Sequence, residues 1–170
     1  MKCQDIAAAV MTSLLKLMKK KSFSEITVSD ITDEAGISRM TFYRNFASKE
    51  NVISDLSRNI GAEIHAFCMS AFAKNGWKSY FYELFERLSE YGDELLELHE
   101  ADLGGIVLKR LNEFMSETLK PESKQSKYKL YQLTGAFYNI FIEWLLSERE
   151  ESCERMAEIC CEVMSLPQGV

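Results

Sequence analysis

Apolar residues recur at helical spacing from the start of this chain. Ile6, Val10, Leu14, Leu15 and Met18 fall three or four residues apart and predict a first helix from about Gln4 to Lys20. Lys19, Lys20 and Lys21 close it, where cations suit the negative end of the helix dipole. Residues 22–26 read as a turn anchored by Phe23 and Ile26. Thr27 with Asp30 three positions on is an N-cap signature, and Ile26 and Ile31 can staple that helix start. This second helix ends near Glu34. Gly36 permits a tight turn, Ser38 caps a short helix over about Arg39–Asn45, and Ser48 starts a long one running to about Ala73.

The third of these helices is short of core. Only Phe42, with Phe46 just beyond it, is strongly apolar and inward, while Arg39, Met40, Thr41, Tyr43 and Arg44 form its other face. A helix that gives so little to its own core needs another use for its outer face. Helix-turn-helix units lay such a helix in the major groove of DNA.

Later segments are more apolar. Trp77, Tyr80 or Phe81, Leu84 and Leu88 make one stripe. The run 127–146 carries apolar residues all round a helix, among them Leu130, Tyr131, Phe137, Tyr138, Phe141, Ile142, Trp144 and Leu146. A helix apolar on every side is buried on every side, so one side can meet the core and the other a partner. A last helix, about Ser152–Met164, adds Met156, Ile159, Cys160 and Val163.

Composition agrees with an all-α chain. Of 170 residues 46% are hydrophobic and 27% charged, with 2 prolines and 8 glycines, which leaves few turns. Such a chain is neither disordered nor low in complexity. The net charge of −6 seems to argue against nucleic acid, but it is uneven. Residues 1–58 hold 9 Lys/Arg and 7 Asp/Glu, a net of +2, and the remaining 11 and 19 give −8. The cysteines at 3, 68, 153, 160 and 161 show no finger spacing and fit reduced thiols in a cytoplasmic protein. A secretory signal, a membrane span, a metal site and a cofactor are not expected. No paired catalytic carboxylates and no nucleophile elbow are evident, so an enzyme is not expected either.

The segment Ile26–Ile53 resembles the DNA-binding region of the TetR/AcrR transcriptional regulators. The marks are Thr27-Val28, Ala35-Gly36-Ile37-Ser38, Thr41-Phe42-Tyr43, Phe46 and Ser48-Lys49-Glu50. Gly135 followed by Glu143-Trp144-Leu145 is a weaker echo. The resemblance implies an N-terminal three-helix helix-turn-helix domain, residues 1–50, and a helical regulatory and dimerisation domain, residues 51–170. It implies a DNA face of Thr27, Ser38, Arg39, Met40, Thr41, Tyr43, Arg44 and Lys49. Thr27, Thr41, Tyr43 and Lys49 would position the DNA backbone, and Arg39 and Met40 would reach base edges. Arg44 can read a base or take a phosphate, and Ser38 can cap and also bind phosphate. Met40 stands where many family members have a small residue.

The same resemblance implies a ligand cavity in the body, for which Trp77, Phe81, Phe85, Phe114, Tyr131 and Tyr138 are the candidates. It implies a four-helix homodimer interface, for which Gly135, Asn139, Ile142, Leu146, Met156 and Cys160 are the candidates. The function expected is a dimeric repressor released from a palindromic operator by a small apolar or aromatic effector. The alternative is a DNA-binding adaptor without a small ligand, controlled by a protein partner.

Overall fold

A computed structural model describes residues 3–166; the side chains of residues 3–5, 56 and 58–60 lie outside that description, and with them Cys3. Every regular element among the described residues is helical. Helix α1 (Cys3–Met18) is followed by a 3-10 turn (Phe23–Glu25), α2 (Val28–Ala35), α3 (Arg39–Asn45) and α4 (Lys49–Ser89). The remainder is α5 (Gly92–Glu100), α6 (Gly104–Leu119), α7 (Lys124–Leu146) and α8 (Cys153–Val163). No helix is long and apolar enough to cross a membrane.

Helices α2, α3 and α4 start where their sequence directs. The Thr27 hydroxyl oxygen accepts the N–H of Asp30, and the Asp30 carboxylate accepts the N–H of Thr27 in return. Ser38 and Ser48 accept the N–H groups of Thr41 and Asn51. Gly36, at φ 64°, takes the left-handed conformation that ends α2 without the strain a side chain brings. The α1 stripe of Ile6, Val10 and Leu14 packs with Ile26, Ile31, Phe42, Phe46, Val52 and Ile53 to form the core of a small head.

Helix α4 is the strut between head and body. It is broken at Asn75 and Gly76, the latter at φ 75° and ψ −159°, a region open to glycine. The break falls just after the expected end at Ala73. The first arm sends Val52 and Ile53 into the head and Ile64 and Cys68 into the body; the second sends Tyr80, Phe81 and Phe85 into the body core. There they meet Phe137, Phe141, Trp144 and Leu145 of α7 and Met156, Ala157, Cys160 and Cys161 of α8.

One expectation changes here. Ile142, Met156 and Cys160, expected between subunits, are 4%, 4% and 0% exposed within the single chain. A pattern apolar on all sides does not say which side turns inward, and packing of α8 onto α4 decides it. Outward apolar residues include Tyr128, Tyr131 and Leu146 on α7 and Val163 on α8, and Asn139 of α7 is exposed as well. Gly104 is a packing glycine: a side chain there would collide with the Tyr138 hydroxyl, which is hydrogen-bonded to His99 Nδ1 at 3.2 Å. Cys68 and Cys160 are buried free thiols pushed up to about 12 by burial, and Cys153 is pushed to about 11, so the reactive thiolate is disfavoured at neutral pH.

Phe85 lies fully buried, with the Phe137, Phe141 and Trp144 rings within 5.7 Å of its own. Phe85→Ala is expected to lower unfolding free energy by about 3–5 kcal/mol, read by urea denaturation. A loss below about 1 kcal/mol would mean the body core is looser than described.

Candidate nucleic-acid interface

Helix α3 is held by one side. Phe42 is fully buried, Phe46 nearly so, and the two rings stand 5.5 Å apart. Its outer face presents Met40 at 82% exposure and Tyr43 at 59%, with Arg39 and Arg44 also exposed. A methionine left so open on a well-anchored helix makes no contribution to the core, and its thioether and methyl are available to an apolar base edge. The Tyr43 ring leans edge-on against Phe42, which fixes its direction while leaving the hydroxyl outward.

The other expected DNA-facing residues are already engaged. Arg39 Nη2 donates to Ser29 Oγ of α2 at 2.7 Å, a tether between the two helices that the sequence pattern does not single out. The Ser38 and Thr41 hydroxyls pair at 2.9 Å at the start of α3. Both the N–H and the hydroxyl of Thr27 donate to Asp30 Oδ2, each at 2.7 Å. Lys21 Nζ meets the same carboxylate oxygen at 2.8 Å. Lys21 first, then Thr27, holds the Asp30 carboxyl well below its ordinary value of 3.8. Lys21 also offsets a negative charge that would otherwise face an approaching phosphate.

Lys49 differs most from expectation. Its ammonium donates to the carbonyls of Phe23 at 2.5 Å and Ile26 at 2.8 Å, and lies 4.4 Å from the centre of the Phe23 ring. It clamps the start of α4 onto the turn before α2. Lys49 therefore positions the Thr27 end of α2 while keeping its positive charge. The carbonyls it holds are 23 to 26 residues away, so no local spacing reveals the clamp.

Next to the head lies a cavity of about 370 Å3. Trp77, Phe81, Phe114 and Tyr138 line it as expected. Phe85 does not, being turned into the body core, and Tyr131 does not, standing 38% exposed on the outer side of α7. Residues outside the expected set include Met11 and Leu15 of α1, Leu95 of α5 and Arg110 and Leu111 of α6. The 3–4 spacing of Val107, Leu111 and Phe114 is the sequence signal that points α6 at the cavity. His65, also in the wall, meets the Tyr80 hydroxyl at 3.2 Å, and burial lowers its pKa. No group of three metal-ligating side chains occurs among the described residues.

Comparison with known proteins bears on both halves. Residues 4–56 match the sequence profile of "Bacterial regulatory proteins, tetR family". A curated relative, the HTH-type transcriptional regulator EthR of Mycolicibacterium smegmatis, is 46% identical over 52 residues. That match takes in 31% of this chain and spans only 24% of the relative. Over nearly the whole length the fold is that of a TetR transcriptional regulator from Streptococcus agalactiae, at TM-score 0.63 and 17% identity, covering 96% of this chain and 95% of that one. Thermus thermophilus FadR, a TetR-family repressor in complex with lauroyl-CoA, has TM-score 0.54 and 16% identity, with 94% and 93% covered.

Three outcomes follow from the head geometry. Lys49→Met is expected to destabilise the head by about 1.5–3 kcal/mol, the range for hydrogen bonds to a charged group. Arg44→Met should leave the thermal midpoint within about 1 °C, since no ion pair among the described residues holds its side chain and surface changes are nearly neutral. Calorimetry on the two variants distinguishes clamp from contact. Asp30 ionises more readily folded than unfolded, so its stabilisation is present above pH 3.8 and is lost as pH falls below it. Asp30→Asn should therefore flatten the stability profile below pH 3.8, and an unchanged acid limb would contradict the role given to Lys21 and Thr27.

Proposed function

We propose, from the match of residues 4–56 to the tetR family profile, that the chain is a member of that family and a homodimeric repressor that leaves a palindromic operator when a small, largely apolar effector enters the body cavity. The observation that carries this reading is the cavity wall itself. Met11 and Leu15 in that wall belong to α1, whose other face holds the core on which α3 rests. An occupant of the cavity therefore presses on the head directly.

A single α3 meets few phosphates, and a dimer doubles them by placing two such helices in successive major grooves, about 34–36 Å apart. The dimer surface in this reading is the outward side of α7 and α8, with Gly135, Asn139, Leu146 and Val163. Nothing lies within 4 Å of a side chain added at Gly135, so a partner helix has room to approach there. The FadR neighbour, a repressor carrying lauroyl-CoA, lends support to an apolar effector. The adaptor alternative requires a filled body, and a cavity of about 370 Å3 favours the effector reading over it.

The test is binding of the intact protein to the DNA upstream of its own gene across a salt series. A steep loss of affinity with salt and a preference over random duplex are expected. A flat salt response without preference would refute the proposal. Within that assay, Tyr43→Ala should weaken all sequences alike. Arg39→Ala should relax base choice at one position per half-site, by about 1–3 kcal/mol. Equal losses on every operator variant for both would remove the division between positioning and reading.

A further inference from the structure

The wall of the cavity is apolar along α6 with one exception. Val107, Leu111, Phe114 and Met115 face it at helical spacing, and Arg110 occupies the same stripe. The Arg110 side chain is only 23% exposed. Its Nη1 donates to Glu113 Oε2 at 2.7 Å, and Glu113 itself stands outside the wall. The Nε–H is buried and has no hydrogen-bond partner. Nη2, on the same edge of the guanidinium as Nε, makes no hydrogen bond to protein among the described residues. One edge of a permanently charged guanidinium is thus held by Glu113, and the edge with two parallel N–H groups is left without an acceptor.

Buried donors are nearly always satisfied, and an orphan of this kind marks a place where a partner is missing. We propose, building on the effector reading above, that the effector is an amphiphile with an apolar body and a single carboxylate, and that the carboxylate takes the Nε–Nη2 edge of Arg110. A planar carboxylate accepts two parallel N–H bonds in the geometry guanidinium offers. The other charged residue in the wall is Glu94 of α5, which would suit an amine instead. Glu94 has no buried, unsatisfied atom, so the unmet demand lies with Arg110.

Decanoate, 1-decanol and decylamine share one apolar body and differ in the head, and their binding to the intact protein is measured by isothermal titration. Decanoate is expected to bind at least about tenfold more tightly than the other two. Arg110→Met should abolish that preference while leaving decanol bound as before, and Arg110→Lys should keep part of it. Decanol or decylamine binding as well as decanoate, or a preference that survives Arg110→Met, would overturn the assignment to Arg110 and leave the effector reading standing. Absence of binding by all three would count against the effector reading, and the inference would fall with it. If Arg110→Met does not fold, the three affinities of the native protein decide alone.

Discussion

The arrangement depends on one apolar cluster that belongs to both halves of the chain. Leu98 of α5 and Val107 of α6 are buried in the same core as Ile6, Val10, Leu14, Ile31 and Phe42 of the head. Head and body are not joined by a linker. They share side chains, α4 runs through both, and Lys19 of the head pairs with Glu97 of α5 at 2.8 Å. Close-packed interiors have low compressibility and transmit strain. In the proposed reading, a change of shape in the body reaches α1 through this shared core, and α1 carries the bed on which α3 lies.

The polar residues of the head divide by what they are already doing. Lys49, Asp30, Lys21 and Thr27 are occupied with one another and with backbone carbonyls, and they fix the entry to α2. Ser38 and Thr41 fix the entry to α3. That leaves Met40, Tyr43 and Arg44 outward, with Arg39 tethered to Ser29 by a bond that a base edge can replace. The net charge of +2 over residues 1–58 is therefore not a pool of equally available cations. Part of it is structural, while Arg39 and Arg44 face outward on α3 and Lys16, Lys19 and Lys20 face outward at the end of α1.

Local features were legible in the sequence because their causes are local. The caps at Thr27, Ser38 and Ser48, the turn at Gly36 and the short, poorly buried α3 all rest on residues within four positions of each other. Trp77 and Phe81 reach the cavity from the aromatic stripe of α4 and Tyr138 from the apolar surface of α7, while Phe114 reaches it from the otherwise aliphatic stripe of α6. What was not legible depends on which face of a helix meets which neighbour. Phe81 and Phe85 are one turn apart, yet Phe81 reaches the cavity and Phe85 the core between α7 and α8. Met156 and Cys160 follow the same rule, since an apolar face alone does not distinguish the chain's own core from a partner's. The Lys49 clamp and the part of α1 in the cavity wall come from tertiary contacts that no spacing in the sequence encodes.

If the shared core couples the cavity to α3, the coupling must be reciprocal. The decisive measurement is therefore a pair of titrations on the intact protein: operator affinity with and without a saturating alkyl-chain ligand, and ligand affinity with and without operator. The account predicts that each weakens the other by the same factor, between about 5-fold and 150-fold for couplings of ordinary size. Operator affinity that is unchanged when the cavity is filled would contradict it.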